Sequence, residues 1–581
     1  MVNELKATLE RENNYQLTEN GAVGYKTTSK ALVDLNFRVT SMRNWVTTTD
    51  IDLFVQAMNE DLDYAIRWLF FARDVRGGMG ERYIFQMMYM KYAELYPSEA
   101  KATLKLISEF GRWKDVIDII NMDVADMLGG MELVKDVLYN DIQNCMVGKP
   151  ISLLAKWLPS INASQRARRQ AKRFAAAFGF SYATYRKMLS KLRAYLDVTE
   201  VKTCSNRWGE IDYNKVSSNA NKRYLNAFKR HDGERYLEHC TKAMDTSTNG
   251  GAKMHADVLF PHEIWAKYTQ LPGLSWYDGH YHNGYGHYVS PADISLEALW
   301  KNLPDLGECG NTMVVVDGSG SMTTNCGGGV KPIDISRSLG VYFAERCQGE
   351  FHNILMEFSS RPKLIDLNGC ETLRDKILEI SKYTDCTNTD IEAVFMLVLQ
   401  TAINAKMKQS DLPDRILIVS DMEFDSASNK TKCGVYGMKA LFDELADRYA
   451  EHGYKLPKLV FWNVNSRTNT IPMTENEMGV IMVSGFSPNI MSMVMSDQTD
   501  PWLALKEKLD DKRYDCISDI LKSVKISFFL QYPVNLFPSL FTAMLFRRRN
   551  HITARNGHMK QPQALFPREK PCLLWVFATM R

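Results

Sequence analysis

The residues from Thr312 to Met322 combine an apolar strand with oxygen-bearing side chains at alternate positions. Three valines precede Asp317, and Ser319 and Ser321 follow it, with one glycine before each serine. Because glycine allows a tight turn, the carboxylate and the two hydroxyls can converge on one point. Hard oxygen donors on a loop at the end of a strand suit a divalent cation such as Mg²⁺. The spacing therefore predicts a metal site.

Two later loops offer further ligands for the same ion. Thr387 and Thr389 lie in a polar loop before a helical run, and Asp421 follows a strand-like run at 415–420. The carboxyl ends of parallel strands meet at one edge of a sheet, where α/β proteins bind their ligands. The alternative is that these residues only cap helices, but three matching strand ends in order favour a cation.

These three loops resemble the metal-ion-dependent adhesion site (MIDAS) of von Willebrand factor A domains. In that family two serines and a threonine coordinate the ion directly, and the carboxylates often act through water. The resemblance implies that Ser319, Ser321 and either Thr387 or Thr389 are direct ligands of Mg²⁺ or another divalent cation. It assigns the negative charge and the bound waters to Asp317 and Asp421.

The composition is that of a multidomain globular protein. A chain of 581 residues is too long for a single hydrophobic core, and 45% of its residues are apolar. The 11 cysteines are scattered singly without a CxxC pair, which argues against a zinc ribbon or a redox motif. The polar start MVNELKATLE does not resemble a secretory signal. We therefore expect a reducing, cytoplasmic location.

The hydrophobic period changes along the chain. Residues from about 50 to 240 show helical spacing with short Gly, Pro or Asn breaks, which indicates an α-helical repeat of the HEAT type. One helical run extends from Asp50 to Phe71 and another from Lys114 to Leu128. From about Cys309, strand-like and helical runs alternate, as in a doubly wound, Rossmann-like α/β fold. The predicted strands are Met313–Val316, Ile354–Phe358, Ile416–Val419, Leu459–Trp462 and Val480–Val483.

We predict three regions: a helical-repeat domain at 1–305, an α/β domain at 306–524 and a divergent tail at 525–581. The tail is apolar from Ile526 to Phe546 and then basic. Pro533 and Pro538 interrupt the apolar run, so a membrane span and a membrane partner are not expected.

The net charge of +3 conceals a strong asymmetry. Lys156 to Arg230 contains 17 Lys and Arg against 4 Asp and Glu. Such a block points to a polyanion, with nucleic acid first. The interleaved aromatic residues suit stacking on single-stranded RNA, although a solvated face over an aromatic core is the alternative. The predicted RNA contacts are Arg166, Arg168, Arg169, Lys172, Arg173, Arg186, Lys187, Lys191, Arg193, Lys222, Arg223, Lys229 and Arg230.

Two other clusters are weaker signals. Arg73, Arg76, Glu81 and Arg82 surround a glycine-rich run, but the Gly-x-x-x-x-Gly-Lys-Ser/Thr pattern of a phosphate-binding loop is absent. We expect an inter-helix turn with buried ion pairs there. The histidines of the aromatic stretch 275–288 (His280, His282 and His287) fit no helix-based metal site, and a surface loop or insertion is expected.

Several runs in both halves resemble one family of largely uncharacterised proteins. They are Thr18–Ala22, Tyr25–Ser29, Ala72–Arg82, Gly111–Asp115, Ala155–Ser160, Val201–Cys204, Leu259–Ile264, Ser420–Phe424 and Val460–Asn463. That family joins a TROVE-like helical half to a von Willebrand factor A half, a layout similar to the Ro ribonucleoprotein autoantigen. The resemblance implies a ring or horseshoe of helices and, less directly, binding of small non-coding or misfolded RNA.

The sequence thus predicts a non-enzymatic RNA-binding protein with a Mg²⁺-binding domain. One alternative is an adaptor that grips a carboxylate of a protein partner through the metal. A weaker alternative is a nuclease that uses Asp317, Asp421 and the ion.

Overall fold

The computed structural model describes residues 13–531, except for 20–22, 124, 246–251, 269–273, 278–279, 284–291, 306, 308, 327–328, 360, 384–388, 424–437, 470, 472–479, 496–497 and 499. A short antiparallel hairpin of β1 (Tyr15–Leu17) and β2 (Val23–Tyr25) opens the described chain.

Helices then follow one another as far as residue 301. They are α1 (Ala31–Phe37), α2 (Val39–Met42), α3 (Thr48–Glu60), α4 (Leu62–Arg73), α5 (Tyr83–Leu95), α6 (Pro97–Thr103), α7 (Ile107–Phe110), α8 (Trp113–Met122), α9 (Gly130–Met146), α10 (Leu154–Trp157), α11 (Gln165–Ala177), α12 (Tyr182–Tyr195), α13 (Thr199–Cys204), α14 (Ser218–His231), α15 (Gly233–Met244), α16 (Pro261–Tyr268) and α17 (Ile294–Lys301). The strands β3 (Leu274–Tyr277) and β4 (His280–Asn283) pair antiparallel between α16 and α17.

Two helical runs that the apolar spacing predicts as continuous are interrupted or shortened in the structure. The run from Asp50 to Phe71 is two helices, because Asp61 adopts an extended conformation and its carboxylate accepts the N–H groups of Asp63 and Tyr64. The run from Lys114 to Leu128 stops at Met122, since the Asp123 carboxylate accepts the N–H of Leu128 and closes a turn. In both places a local carboxylate competes with the helix.

The described residues after 301 fold around a six-stranded sheet. Its strands are β5 (Thr312–Asp317), β6 (Ile354–Phe358), β7 (Lys363–Asp366), β8 (Arg415–Ser420), β9 (Lys458–Asn463) and β10 (Val480–Ser484), and its helices are α18 (Pro332–Ala344), α19 (Leu373–Ile380), α20 (Ile391–Ala405), α21 (Met438–Glu451), α22 (Met491–Met495), α23 (Pro501–Leu509) and α24 (Asp515–Gln531). The five predicted strands are confirmed, and β7 is an additional one.

The strand order is β10-β9-β8-β5-β6-β7, and all neighbours are parallel except β6 and β7. Successive residues of β5 pack into different cores. Val314 and Val316 face the core that contains α18, whereas Met313 and Val315 face the core that contains α20. Helices therefore cover both faces of the sheet, as the doubly wound prediction requires. The order reverses between β5 and β8, so the ends of these two strands form the topological switch point.

The sheet and the helix α18 beside it contact the two ends of the helical half. At its start, the Phe37 carbonyl accepts hydrogen bonds from Asn463 (3.1 Å) and Ser484 (2.8 Å). At its end, the Trp300 indole donates to Glu345 at 3.0 Å. The chain as far as Lys522 forms one compact unit. The domain boundaries proposed at 305 and 524 remain predictions.

The last helix within the described residues ends at Gln531, and most of the predicted tail lies outside them. Within the parts of 13–531 that the structure describes, no helix is long and apolar enough to cross a membrane.

Candidate functional site

Asp317 is the last residue of β5 and is fully buried. Its Oδ1 accepts the N–H of Ser319 at 2.8 Å, and its Oδ2 accepts the Ser420 hydroxyl at 2.6 Å. The N–H of Asp317 donates to Ser336 at 3.2 Å. These bonds from three elements fix the carboxylate at the switch point of the sheet.

The two predicted serine ligands point to the same place. After Asp317 the chain enters a 3₁₀ turn, Gly320–Thr323. This turn brings the hydroxyl oxygens of Ser319 and Ser321 to 2.9 Å from each other. Ser319 is buried and Ser321 is partly exposed, so the pair lies at the boundary between the protein interior and solvent. The predicted convergence of the first loop is therefore present.

Asp421 comes from the loop after β8 and is 1% exposed. Burial, and then the negative charge of Asp317, raise the pKa of the Asp421 carboxyl well above its usual range. The Ser321 hydroxyl and the Glu423 N–H act in the opposite direction. Asp421 therefore lies within electrostatic reach of both Asp317 and Ser321, as the metal hypothesis requires. We call Asp317, Ser319, Ser321 and Asp421 the acidic rim.

The donor set of the acidic rim fits a hard divalent cation. Oδ2 of Asp421 is buried and accepts no hydrogen bond from the residues that the structure describes. The nearest cation paired with this atom is the Arg467 guanidinium, whose Nη2 is 3.6 Å away. A cation between the two buried carboxylates would reduce the repulsion between them. The two hydroxyl oxygens beside them are further donors of the kind that such a cation prefers. Among the described residues no three His, Cys, Asp or Glu side chains lie together as a metal-binding group.

The third predicted loop is described only in part. Thr389 is 4% exposed and directly precedes Asp390, whose carboxylate caps α20 by accepting the Ala393 N–H at 3.0 Å. Thr387 lies outside the described residues. The choice between the two threonines stays open. His280 and His282 lie on β4, and His287 is also outside the described residues.

Sequence reasoning missed the residues that support the acidic rim. The hydroxyl of Ser420 holds Asp317, and Ser336 bridges α18 and β8 by donating to the Val419 carbonyl at 2.7 Å. Ser420 lies one residue beyond the pairing of Val316 with Val419. Only the strand register shows that it lies beside Asp317, and a single sequence does not give that register.

A segment near the start of the chain also reaches the acidic rim. The buried Glu423 carboxylate accepts the N–H groups of Glu19 (2.7 Å), Arg467 (2.8 Å) and Thr468 (2.9 Å). Arg467 also forms an ion pair with Glu19 at 2.5 Å. Arg467 therefore lies between the carboxylates of Glu19 and Asp421, which are 402 positions apart in the sequence.

The basic helix pair, α11 and α12, contains the greatest density of predicted RNA contacts. Residues 165–195 include nine Arg and Lys and no Asp or Glu. Seven of these nine cations are exposed: Arg166, Arg168, Arg169, Lys172, Arg186, Lys187 and Lys191. Arg223 and Arg230 on α14 are exposed as well. Without carboxylates between them, these cations give the helix pair a single-sign surface.

The other four predicted contacts are engaged within the protein. Arg193 donates to the carbonyls of Ala155 (2.9 Å) and Leu158 (2.6 Å) and to the Ser160 hydroxyl (2.7 Å). Arg173 donates to the carbonyl of Ile120 at 3.2 Å. Lys222 and Lys229 form ion pairs with Glu263 and Asp293. These four cations tie helices together rather than lie open to solvent.

The interleaved aromatic residues divide in a similar way. Phe174, Phe178 and Tyr185 are buried in the core, as the alternative interpretation expects. Tyr182 is 49% exposed and Tyr195 is 40% exposed. The Lys172 ammonium lies 5.3 Å from the centre of the Tyr182 ring. One exposed ring beside exposed cations is thus available for stacking on a base.

Comparisons with known proteins match segments of the chain. Residues 311–518 match a domain of unknown function (DUF7788), and residues 163–290 match another (DUF2828). An uncharacterized protein of Acanthamoeba polyphaga mimivirus, L728, is 29% identical over 523 residues, which cover 83% of this chain and 85% of the viral protein. The crystal structure of the Deinococcus radiodurans RO (RSR) protein aligns with 79% of this chain and 92% of its own, with 13% identity and a TM-score of 0.34.

Proposed function

We propose that this chain is a non-enzymatic RNA-binding protein whose helical half holds small or structured RNA along the basic helix pair. One observation carries the proposal: seven exposed cations lie on two consecutive helices that contain no carboxylate. Backbone phosphates are the natural partners of such a surface. The exposed Tyr182 adds a ring on which an unpaired base stacks.

The layout of the helical half supports an extended ligand. The sheet contacts the helices near Phe37, and the end of α18 contacts them near Trp300, so the helical path is held at both ends. In the proposal, these two contacts join the ends of the helical path into a ring or hold them as the ends of a horseshoe. In the proposal, the RNA is a small non-coding or misfolded species that lies along the helices between these contacts.

The test is a charge reversal on the basic helix pair. We expect Arg166→Glu, Arg169→Glu and Lys187→Glu together to weaken binding of single-stranded RNA for every sequence tested. The negative slope of log affinity against log salt concentration should become shallower by about 2 or more, because three phosphate contacts are removed. Fluorescence anisotropy at several salt concentrations measures both quantities. Arg173 and Arg193 are left intact because they hold carbonyl groups of neighbouring helices.

The matched control reverses three exposed lysines elsewhere, Lys101, Lys105 and Lys455. Both triple variants change the net charge equally, so a general charge effect weakens both. If the two variants bind RNA with equal affinity, the basic helix pair is not the binding surface. Salt should release nucleic acid that copurifies with the wild type. Sequencing of this nucleic acid identifies the RNA.

The geometry of the acidic rim favours a second candidate function, an adaptor. A Mg²⁺ ion held by Ser319, Ser321 and the two acids, with one coordination position open toward solvent, accepts a carboxylate from a protein partner. Supporting this is the position of Ser321 at the boundary with solvent. Loss of a protein partner on chelation, with RNA affinity unchanged, favours the adaptor over the RNA-binding proposal.

A further inference from the structure

A cluster of arginines forms around one buried carboxylate in the helical half. Asp115, in the first turn of α8, is fully buried. Its Oδ2 accepts a hydrogen bond from Arg73 Nε at 3.0 Å. Its Oδ1 lies 2.9 Å from Arg82 Nε and 3.7 Å from Arg112 Nε. Three guanidinium groups from three parts of the chain therefore share one negative charge. The predicted buried ion pairs at the glycine-rich turn are confirmed.

The cluster has more positive than negative charge. Arg82 and Lys114 also pair with Asp118. Four cations thus face two carboxylates. The nearby Glu81 does not change this balance, because it pairs with a further cation, Arg43, at 3.0 Å. The cluster lies at the N-terminal end of α8, where the free N–H groups of a helix add partial positive charge. Burial and the Arg82 and Arg73 charges lower the pKa of Arg112.

One donor atom in the cluster has no acceptor among the described residues. Arg73 is 2% exposed, and its Nη1 makes no hydrogen bond with any residue that the structure describes. Nε of Arg82 and Nε of Arg112 face Oδ1 of Asp115, at 2.9 Å and 3.7 Å, as ion pairs without hydrogen-bond geometry. A buried guanidinium nitrogen without an acceptor, such as Arg73 Nη1, is costly. Guanidinium groups bind oxyanions in a planar, two-pronged geometry.

The cluster has a closed floor and an open rim. The side chains of Arg73 and Asp115 are 3% and 0% exposed. Those of Arg82 and Lys114 are 38% and 35% exposed, and that of Arg112 is 36% exposed. The guanidinium of Arg112 lies over the ring of Trp157, with 5.1 Å between them, which limits its motion. Solvent therefore reaches the cations without reaching the carboxylate beneath them.

Gly111 shows how closely this floor is packed. A Cβ atom at this position would lie 2.6 Å from Asp115 Oδ2 and 2.8 Å from Arg73 Nε. Any side chain here would displace the floor of the cluster. The sequence Gly111-Arg-Trp-Lys-Asp115 thus supplies the packing space, two rim cations and the buried carboxylate from five consecutive residues.

We propose that Arg73, Arg82, Arg112 and Lys114, which we call the arginine pocket, bind a phosphate-class oxyanion. The oxyanion lies between Arg82, Arg112 and Lys114 at the rim and accepts hydrogen bonds from the solvent-facing N–H groups of these partly exposed cations. Asp115 orients Arg73 and Arg112 from below. The oxyanion is either free phosphate or the terminal phosphate of a nucleic acid. The proposal does not depend on RNA binding by the basic helix pair.

The test uses the full chain and inorganic phosphate. Isothermal titration calorimetry at constant ionic strength should show saturable binding to the wild type. In the Arg82→Gln, Lys114→Gln double variant the affinity should fall about tenfold or more, because charge-assisted hydrogen bonds are lost. Arg73 is not changed, because its loss would leave Asp115 without its main buried partner. Circular dichroism and thermal unfolding establish that the variant is folded.

The matched control is the Arg448→Gln, Lys506→Gln variant. These two side chains are 35% and 38% exposed, and each pairs with a carboxylate as Arg82 and Lys114 do. The control should bind phosphate as the wild type does. The proposal is overturned if the wild type shows no saturable phosphate binding, or if the folded pocket variant binds phosphate as tightly as the control.

A pair of oligonucleotides distinguishes the two sources of the oxyanion. One carries a 5′-phosphate and the other a 5′-hydroxyl, with the same sequence. If the pocket takes a nucleic-acid terminus, the phosphorylated strand binds more tightly, and Arg82→Gln with Lys114→Gln removes the difference. If it takes free phosphate, the two strands bind alike while inorganic phosphate still saturates the wild type. The phosphate titration tests the arginine pocket alone. Its result stands even if the basic helix pair does not bind RNA.

Discussion

The acidic rim and the basic helix pair both gather charges of one sign, but in opposite environments. Asp317 and Asp421 are buried within reach of each other, and the pKa of Asp421 rises as a result. The cations of the basic helix pair are mostly exposed, and water separates and screens them. Buried like charges need one counterion at one fixed point. Exposed like charges instead accept an extended polyanion in many registers.

The arginine pocket lies between these extremes. Its carboxylate is buried and paired with arginines, whereas its rim cations are about one-third exposed. It can select an anion by geometry, as a buried site does, yet it remains open to a ligand from solvent. The three regions therefore differ in the size and the mobility of the partner that each one suits.

The largest expected effect is on the acidic rim. Ser319→Ala with Ser321→Ala removes two of the three predicted neutral ligands and should abolish calorimetric Mg²⁺ binding. The fold should persist, because Asp317 keeps the Ser420 hydroxyl as a donor. The control Ser108→Ala removes a partly exposed hydroxyl in the helical half and should leave Mg²⁺ binding unchanged. Unaltered binding in the double variant would refute the site.

A smaller effect separates Arg193, one of the two arginines of the basic helix pair that are engaged within the protein, from the exposed ones. Arg193→Ala removes three hydrogen bonds to residues 155–160. We expect the free energy of unfolding to fall by about 2 kcal/mol, since buried carbonyls lose a charged donor. Arg186→Ala, at an exposed position on the same helix, should change it by less than about 0.5 kcal/mol. If both variants lower the free energy of unfolding equally in chemical denaturation, Arg193 has no greater structural role than the exposed Arg186.

The smallest effect concerns a buried group that stays neutral. Burial, together with the Arg43 and Lys222 charges, lowers the pKa of His262 well below its ordinary value. The unfolded chain therefore binds a proton near pH 6.5 that the folded chain does not, so stability falls as the pH drops below this value. Between pH 7 and 5.5 the His262 contribution is about 1 kcal/mol.

Unfolding curves across this pH range measure the slope. His262→Gln should reduce the acid-side loss of stability, whereas the exposed control His452→Gln should retain it. A His262→Gln variant with an unchanged slope would show that other groups carry the acid dependence.

The sequence predicted the parts of this molecule that local patterns determine. The strands around Asp317 and Asp421 are continuous apolar runs, and buried parallel strands have that pattern. Helix ends at Asp61 and Asp123 were missed, because a carboxylate that caps a helix there resembles an ordinary helical residue. The roles of Ser420 and of Arg193 depend on strand register and on helix packing. Both are long-range properties that spacing along a single chain does not contain.

One buried arginine sets the order in which the chain can complete its fold. Arg67 on α4 donates to the Leu509 carbonyl at 2.8 Å and to the Ser518 hydroxyl at 2.7 Å. At ordinary translation rates the partners of this guanidinium leave the ribosome roughly 20 to 90 seconds after it. Until then Asp63, on the same helix, is the partner that the guanidinium has available. Products truncated before Leu509 therefore leave the surface around Arg67 uncovered.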